Sequence, residues 1–256
     1  MDASLNYVEA TQDVSSSSDL AHDTMTADTI VTPLRRSKVE IPSYLQEVYY
    51  WAYLDPRNVR MLDRELVVSV ILWGQHRLLQ RAAFSEIEPG QRVLQPASVY
   101  GDFSPNLAKQ VGANGHLDVI DIAPIQIASC RRKLRDYPQA TTRRADARSP
   151  GEDPYDVICC YFLMHELPDQ VKHEVVDGLL ENIKPGGKVV FVDYHKPHWA
   201  HPLKLITSIV FDTLEPFAKG LWRKEIADYA AKRDDFNWRQ ETYFGGLFQK
   251  VVAERR

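Results

Sequence analysis

The stretch that most constrains the fold is RVLQPASVYGDFSPNLA, residues Arg92–Ala108. It begins with a short apolar run, passes through a loop, and has a helical pattern from about Pro105. A strand, a tight turn and a helix N-terminus bring free backbone N–H groups and the positive end of the helix dipole to a ligand. This order predicts a nucleotide-binding loop. Such loops are usually rich in glycine, yet only Gly101 remains here, and Gln95 stands where an acid is expected.

From Arg92 onward, short β-rich runs alternate with helical stretches, as in a parallel sheet with right-handed crossovers. The predicted strands are Arg92–Leu94, Leu117–Ile120, Thr141–Arg144, Val157–Tyr161 and Lys188–Asp193. The predicted helices are Pro105–Val111, Pro124–Tyr137 and Gln170–Ile183, and Pro185–Gly187 is predicted as a turn. Two further runs, Trp238–Tyr243 and Leu247–Ala253, flank a pair of glycines and predict a closing antiparallel hairpin. We therefore predict an α/β fold whose sheet is mainly parallel.

The chain is predicted to form one domain with additions, because 256 residues are enough to bury a sizeable core. Residues 1–40 are predicted to be a disordered tail, since the first 32 positions carry acids and a serine run but no Lys or Arg. Residues 41–256 are predicted to comprise a helical cap (41–88), a cofactor-binding core (89–194), a lid (195–235) and the closing hairpin (236–256).

The predicted cap is unusually aromatic. Its first helix carries Tyr44, Tyr49, Tyr50, Trp51 and Tyr53, with Ser43 as a plausible N-cap. These rings either pack on the core or cover a flat apolar substrate, and the pattern leaves both interpretations open. A second helix is predicted from about Asn58. Its apolar face is formed by Leu62, Leu66, Val70 and Trp73 and is widened by Val67, Val68 and Ile71.

The predicted lid carries an apolar stripe at spacings of three and four. The stripe comprises Leu203, Ile206, Val210, Leu214, Phe217 and Leu221. It indicates either a core helix or an interfacial helix that lies on a membrane and admits a lipid-soluble substrate. Pro216 is predicted to bend this helix.

Charge and cysteine usage narrow the possible partners and compartments. The net charge of −4 gives no reason to expect nucleic-acid binding. Cys130, Cys159 and Cys160 form no disulfide framework, which favours a reducing cytoplasm and roles in packing. No apolar run approaches the roughly 20 residues of a membrane span. We therefore predict a cytoplasmic protein, with the lid as a peripheral contact to the inner membrane.

Two short motifs carry a resemblance to known enzymes. Gly74–Leu78 (GQHRL) and Gly101–Ser104 (GDFS) resemble the ubiquinone/menaquinone C-methyltransferases. From Tyr44 to the C-terminus, the chain resembles the class I S-adenosylmethionine-dependent methyltransferase fold. The hexapeptide Val99–Ser104, VYGDFS, is similar to the altered cofactor loop of the RquA family of rhodoquinone-biosynthesis proteins.

The resemblance to the RquA family implies a reaction and its requirements. It implies conversion of ubiquinone to rhodoquinone, in which an amino group replaces a ring methoxy group. S-adenosylmethionine is then the donor of the amine, and Mn²⁺ is required. The alternatives are a quinone C- or O-methyltransferase with a diverged loop, and a catalytically inactive fold used as a binding module.

The resemblance also implies which residues meet the cofactor. Asp121 ends the second strand, where the fold's acid binds the ribose hydroxyls, and Asp146 ends the third, where an acid meets the adenine. Each of these acids could instead cap its own loop, and Tyr161 could simply pack at a strand end. The full predicted cofactor set is Gln95, Ala97, Tyr100, Gly101, Asp102, Asp121, Ile122, Asp146, Ala147 and Tyr161.

Gln95 is the residue that bears on the type of chemistry. A carboxylate at this place would stabilise the protonated amine of the donor, so its replacement by a neutral amide is expected to lower the pKa of that amine. An enzyme that uses the amine as a nucleophile benefits, because only the neutral amine attacks. Drift of the loop without new chemistry is the competing explanation.

Catalytic and metal-binding candidates follow the predicted strand ends. Tyr100, His165 and Glu166 are the catalytic candidates. Manganese prefers carboxylate, imidazole and water ligands, and the candidates for a Mn²⁺ site are Asp102, His165, Asp193 and His195. No pair among them has the spacing of a dedicated metal motif.

Overall fold

The computed structural model describes residues 40–256, so the predicted tail of residues 1–40 lies almost wholly outside the described residues. The seven strands form one sheet in the order β3-β2-β1-β4-β5-β7-β6. They are β1 (Arg92–Gln95), β2 (His116–Asp121), β3 (Ala140–Arg144), β4 (Tyr155–Tyr161), β5 (Ile183–Tyr194), β6 (Phe236–Tyr243) and β7 (Phe248–Arg255). The first five are parallel, and β7 pairs antiparallel with both β5 and β6. This confirms the predicted α/β sheet and its closing hairpin.

Eight α-helices accompany this sheet in the described part of the chain. Four precede it: α1 (Ser43–Glu47), α2 (Pro56–Leu62), α3 (Glu65–Ile71) and α4 (His76–Phe84). The other four are α5 (Phe103–Val111), α6 (Pro124–Lys133), α7 (Asp169–Glu181) and α8 (Lys204–Thr213). The three helices predicted between the strands are confirmed as α5, α6 and α7.

The core lies on both faces of the sheet because alternate strand residues point to opposite sides. On one face, Val93, Val157 and Val190 pack in a cluster that also holds residues of α4, α5 and α8. On the other face, residues such as Ile158 and Phe191 pack against α7. Burial on both faces explains the continuous apolar runs in the central strands β4, at Val157–Cys160, and β5, at Val189–Val192. The three cysteines are buried and free, as the prediction of a packing role requires.

The predicted turn at Pro185–Gly187 requires a correction. Strand β5 begins before it, at Ile183, which pairs with Tyr155. The register then shifts so that Val157 pairs with Lys188, and the intervening residues form a bulge within the strand. The glycines therefore serve a bulge in β5 rather than a turn that precedes it.

The helical cap is more broken than the periodicity predicts. Pro42, not Ser43, occupies the N-cap position of α1, and no side chain caps that end. One turn of π-helix at Tyr50–Leu54 follows. The second helix begins at Pro56, because the Asp55 carboxylate accepts a hydrogen bond from the backbone N–H of Arg57 and starts it there.

The buried face predicted for the second helix is largely wrong. Leu62 is buried, but Leu66 is 76% exposed and Val70 is 69% exposed. The chain breaks between α2 and α3, and this break changes which side of the following helix meets the core. Val68, which the prediction places at the edge of this face, packs on the core together with Leu72.

The helix in the predicted lid is shorter than the apolar stripe of Leu203–Leu221 from which it is predicted. Helix α8 ends at Thr213, so Pro216 follows the helix and does not bend it. Its buried residues are Thr207 and Phe211. Two members of the predicted stripe, Ile206 and Leu214, are exposed. The stripe is therefore divided between core and surface.

Candidate active site

A cavity of about 220 Å³ lies between the helical cap and the strand ends. Its walls come from the cap, from the loop after β1 and from residues that follow β2, β3 and β4. Aromatic residues contribute much of the lining: Tyr44, Trp51, Tyr53, Tyr100, Phe103, Tyr161, Phe162 and Tyr194. In a parallel sheet the ends of adjacent strands define the usual ligand crevice, so this cavity is the candidate active site.

Asp121 lies at the end of β2 and lines the cavity together with Ile122. Its carboxylate accepts hydrogen bonds from the backbone N–H groups of Ser98, at 2.9 Å, and Ala123, at 2.8 Å. Burial raises the pKa of Asp121 to about 6, although the backbone hydrogen bonds oppose the rise. The residue therefore joins the loop after β1 to the loop after β2 and presents its carboxyl group at the cavity.

Asp146 and Ala147 also line the cavity, after β3. The Asp146 carboxylate accepts the backbone N–H of Arg148 at 2.9 Å and the Nη2 of the same guanidinium at 2.7 Å. Arg148 in turn contacts Glu174 at 3.2 Å. Asp146 therefore does cap its own loop, as the competing interpretation holds. Its contact with adenine stays a prediction.

Tyr100 fastens the loop after β1 to the helical cap. Its hydroxyl group donates to the carbonyl of Ala52 and accepts a hydrogen bond from Gln126 at 2.9 Å. Its ring stacks on that of Tyr53, with centroids 5.7 Å apart. Burial raises the pKa of Tyr100 well above its usual range. The hydroxyl group is thus a neutral structural link in this arrangement, and its predicted catalytic role stays a prediction.

A partly buried ion pair holds the same loop from the other side. Lys133 of α6 contacts Asp63 at 2.8 Å and donates to the carbonyls of Val99 and Gly101 at 2.9 and 3.0 Å. Asp63 also accepts the backbone N–H of Gly101 at 2.9 Å. Both ion-pair residues were missed from sequence, because two charges 70 positions apart carry no local signal. We call Asp63 and Lys133 the loop clamp.

The remaining predicted residues of this loop lie in different settings. Ala97 and Asp102 line the cavity, whereas Gln95 and Gly101 do not. Gln95 is fully buried, and its amide donates to the carbonyl of Ala97 at 2.7 Å. Its Oε1 has no hydrogen-bond partner within residues 40–256. Gln95 thus stabilises the loop from the protein interior through its hydrogen bond to Ala97. Its effect on the pKa of a bound donor's amine stays a prediction.

A buried acid–base cluster lies after β4 and β5. The Nδ1 of His165 donates to Asp193 Oδ1 at 2.9 Å, and Asp193 Oδ2 accepts the backbone N–H of Met164 at 2.8 Å. Burial lowers the pKa of His165, but the charge and hydrogen bond of Asp193 outweigh this effect and raise it to about 9. His165 is therefore expected to carry a proton at neutral pH.

Glu166 belongs to the same cluster and lines the cavity with His165. Its carboxylate accepts the hydroxyl of Tyr53, and its Oε1 lies 3.8 Å from His165 Nε2. Burial raises the pKa of Glu166 to about 8, although the charge of His165 opposes the rise. Two groups at one wall with pKa values of about 8 and 9 can accept and return a proton in mildly alkaline solution.

The predicted manganese site is not formed as a cluster. His165 and Asp193 contact each other, but the Nδ1 of His195 donates to the carbonyl of Gly246 at 3.0 Å. Across residues 40–256 no three His, Cys, Asp or Glu side chains are arranged to hold a metal ion. The set of Asp102, His165, Asp193 and His195 is therefore corrected, because its members do not converge. These residues do not fit a metal held by protein ligands alone.

Comparison with solved structures identifies the fold. The protein superposes on an S-adenosylmethionine-dependent methyltransferase from Aquifex aeolicus with a TM-score of 0.51 at 17% identity, covering 79% of this chain and 99% of that one. It superposes on the N-methyltransferase NodS from Bradyrhizobium japonicum, in complex with S-adenosyl-L-homocysteine, with a TM-score of 0.53 at 12% identity, covering 84% and 99%. The fold is that of the class I methyltransferases. The cavity lies where this Rossmann-like fold places its cofactor crevice.

Sequence comparisons agree over part of the chain. Residues 93–187 match the model of a methyltransferase domain family. The chain is 31% identical over 143 residues to the ubiquinone/menaquinone biosynthesis C-methyltransferase UbiE of Vibrio campbellii. This alignment covers 52% of this chain and 53% of that protein. It is 28% identical over 143 residues to the corresponding protein of Shewanella sediminis, covering 52% and 55%. The chain thus spans about half the length of the curated relatives that it matches.

Replacement of Asp63 by asparagine is expected to weaken the loop clamp. The variant leaves the partly buried Lys133 without its anion, so we expect the free energy of unfolding to fall by about 1.5–3 kcal/mol. Because the clamp holds the loop beside the cavity, the Kd for S-adenosylhomocysteine should rise by about tenfold. Chemical denaturation and calorimetry measure the two effects.

Two further variants control this experiment. Arg135→Met removes an exposed charge and should change neither quantity. The combination of Asp63→Asn with Lys133→Met should cost less than the sum of the single variants, because the two residues act as one unit. An unchanged Kd in Asp63→Asn would remove the clamp from cofactor binding.

Proposed function

We propose that this protein is an S-adenosylmethionine-dependent transferase that acts on a quinone ring and transfers the amino group of the donor. With ubiquinone as substrate, the amino group replaces a ring methoxy group and the product is rhodoquinone. One observation carries the proposal: the VYGDFS loop, which replaces the glycine-rich loop, is fastened to an aromatic cap beside a buried acid–base cluster.

The fold and the strand-end acids support S-adenosylmethionine as the donor. Asp121 presents a carboxyl group to the cavity, where it can accept hydrogen bonds from ribose hydroxyls. Asp146 and Ala147 lie at the next strand end, where an adenine is expected. Bound there, the donor supplies a nucleophilic amine, and the chain's task is to orient it and to manage its protons.

The acid–base cluster can manage those protons. When the amine adds to the ring carbon that bears the methoxy group, a C–N bond forms and the nitrogen must lose a proton. When the C–O bond to the methoxy group breaks, its oxygen takes up a proton and leaves as methanol, and the nitrogen is then bonded to both the ring and the donor's Cα. Loss of the Cα proton sends two electrons into the quinone ring, and water cleaves the resulting C=N bond, which leaves the amino group on the reduced ring and releases the donor's carbon chain as a 2-oxo acid; reoxidation of the ring gives rhodoquinone. Glu166 and His165 at the cavity wall have pKa values of about 8 and 9, so in mildly alkaline solution the Glu166 carboxylate can accept the first proton and the His165 imidazolium can deliver the second.

Gln95 supports an amine nucleophile. It is buried beneath the loop as a neutral amide and brings no carboxylate to this side of the site. The absence of a negative charge at this residue lowers the pKa of an ammonium group bound above it, compared with an acid at the same place. A larger fraction of the amine is then neutral and able to attack.

Methyl transfer to a quinone ring is the second candidate function. The observation that favours it is the similarity to proteins named as ubiquinone/menaquinone C-methyltransferases, at 28–31% identity over 143 residues. The same aromatic cavity and strand-end acids would serve it. The manganese implied by the RquA resemblance enters neither scheme as a step, because the described side chains do not form a protein ligand set for it.

The mass of the product distinguishes the two functions. The purified protein is incubated with S-adenosylmethionine and a short-tail ubiquinone, with and without Mn²⁺, and the quinone is analysed by mass spectrometry. Replacement of methoxy by amino gives a lighter quinone, whereas C-methylation gives a heavier product. Calorimetry with S-adenosylhomocysteine tests the inactive binding-module alternative, for which no cofactor affinity is expected.

We propose in addition that the protein meets its lipid-soluble substrate at a membrane surface. Helices α3 and α8 both contribute residues to the core cluster on one face of the sheet. The exposed apolar residues of these helices and of the segments next to them are Leu66, Val70, Ile71, Trp73, Trp199, Leu205, Ile206, Ile209 and Leu214. Ile71 also lines the cavity, which joins this surface to the candidate site. Within residues 40–256, no helix is both long and apolar enough to cross a membrane.

Charged substitutions on α8 are expected to weaken vesicle binding. Leu205 and Ile209 are 79% and 64% exposed on one side of the helix, so replacing both by glutamate should weaken partition into anionic vesicles by about tenfold or more. Activity towards a short-tail, water-soluble quinone should be unchanged. Sedimentation with vesicles provides the measurement, and the double replacement by methionine is the matched control. Equal sedimentation of both variants would contradict the assignment of this surface.

A further inference from the structure

Glu215 is a partly buried acid that has no role in the proposed proton transfers. It lies two residues after the end of α8 and lines the same cavity as His165 and Glu166. Its Oε2 atom is buried and has no hydrogen-bond partner in the described part of the chain. A buried polar atom without a partner is costly, so a ligand that completes its hydrogen bonding would stabilise the site.

The other acids of this wall are already engaged. Glu166 accepts the hydroxyl of Tyr53, and Asp193 accepts three hydrogen bonds from backbone and imidazole N–H groups near 2.8 Å. Glu215 alone among these three acids has a buried oxygen without a partner in residues 40–256. It is therefore the acid of this wall that is available to a substrate.

The surroundings of Glu215 favour its protonated form. Burial raises the pKa of Glu215, and the charge of Asp193 adds to this effect. The charge of His165 and the hydroxyl of Tyr49 act in the opposite direction without cancelling it. A neutral carboxylic acid offers one O–H donor, and its natural partner in an apolar cavity is an oxygen that accepts without carrying a full charge.

Hydrogen bonds from α7 anchor the chain segment next to Glu215. The fully buried Lys172 of α7 donates to the carbonyl of Phe217 at 2.9 Å and to that of Leu167 at 2.6 Å. These bonds tie the segment that follows Glu215 to the start of α7. The backbone next to Glu215 is therefore anchored at Phe217, which limits the positions that its carboxyl group can take.

We propose that Glu215 is a substrate-binding residue whose carboxylic acid donates a hydrogen bond to a carbonyl oxygen of the quinone ring. The aromatic walls of the cavity fit a flat ring, and Glu215 supplies the polar contact that selects a ring with a carbonyl oxygen over a plain aromatic one. The inference rests on the proposed function, since it takes a quinone as the occupant of the cavity.

Ligand binding without turnover tests this inference. The full chain is titrated with a short-tail ubiquinone and with an alkylbenzene of matched ring substitution and tail that lacks the ring carbonyls, and quenching of intrinsic fluorescence reports each Kd. The native protein should prefer the quinone by about tenfold, the ratio expected for one buried hydrogen bond. Glu215→Met, which keeps the length but loses the donor, should bind both ligands equally. Glu215→Gln retains a donor and should keep most of the preference.

The outcomes separate the inference from the proposed function. Absence of quinone binding by the native protein would overturn both. Quinone preference by the native protein that persists in Glu215→Met would overturn the inference alone and leave the proposed function standing. The Kd for S-adenosylhomocysteine confirms that each variant is folded. Should Glu215→Met not fold, Glu215→Asp takes its place, because the shorter acid should lose the same preference.

Discussion

Replacement of Asp193 by alanine is expected to lower the free energy of unfolding by about 3–5 kcal/mol, the usual cost of removing one partner from a buried ion pair. Asp193 is 1% exposed and accepts hydrogen bonds from Met164, His165 and Tyr194. The variant leaves the imidazole and these backbone N–H groups without their acceptor. Chemical denaturation of both proteins measures the loss.

Asp234→Ala is the matched control, because Asp234 is exposed and its removal should change stability by less than about 0.5 kcal/mol. A loss in Asp193→Ala as small as that of the control would contradict the existence of the buried pair. A loss in the expected range identifies Asp193 as the residue that positions His165 and stabilises its charge.

The same pair predicts how stability depends on pH. The pKa of His165 is raised from 6.5 to about 9 in the folded protein, so the folded state binds more protons than the unfolded state between these values. The stabilising contribution is therefore complete below about pH 6.5 and disappears as the pH rises through 9. Glu166, whose pKa is raised from 4.5 to about 8, changes stability in the same direction.

Thermal unfolding across this range tests the sign of the effect. The melting temperature of the native protein should fall from pH 6.5 to pH 9. In Asp193→Ala the fall should be smaller, because burial without the neighbouring charge lowers the pKa of His165. A native protein that becomes more stable towards pH 9 would contradict the assigned ion pair.

Replacement of Asp121 by alanine is expected to weaken binding of S-adenosylhomocysteine by about 1–3 kcal/mol, the cost of leaving polar partners without an acceptor. The carboxylate holds the N–H groups of Ser98 and Ala123 and faces the cavity. Its loss therefore removes a predicted contact to the ribose and loosens the loop that carries Ser98.

The conservative variant separates these two effects. Asp121→Asn keeps one acceptor for the loop, so it should remain as stable as the native protein and still lose part of the affinity. Calorimetry measures binding, and Asp136→Ala, at an exposed acid near α6, serves as the control. Unchanged affinity in Asp121→Ala would remove Asp121 from the cofactor site.

The sheet could be predicted from sequence because its signals are local. Five short apolar or β-rich runs separated by helical segments indicate a parallel sheet, and a glycine pair between two β-rich runs indicates a hairpin. Their positions after predicted strands also predict Asp121, Asp146 and His165 as site residues. All three line the cavity. In this part of the chain, the residues that produce the sequence pattern are the same residues that form the strands and their ends.

The cap and the lid could not be predicted in detail because their burial depends on distant partners. Leu66 and Val70 have the spacing of a buried helix face, yet a break after Leu62 turns them to the surface. The clamp between Asp63 and Lys133 pairs charges from two elements that no local pattern connects. Glu215 follows α8 as an ordinary polar residue in sequence, and only the folded chain shows that its oxygen is buried at the cavity.

The most direct test of amino transfer uses a donor labelled on two atoms. S-adenosylmethionine that carries ¹⁵N on its amine and ¹³C on its methyl group is incubated with the protein, Mn²⁺ and a short-tail ubiquinone. We expect mass spectrometry to find a quinone that contains the nitrogen label and lacks the carbon label. A product that contains the carbon label and lacks the nitrogen would contradict amino transfer and establish a methyltransferase.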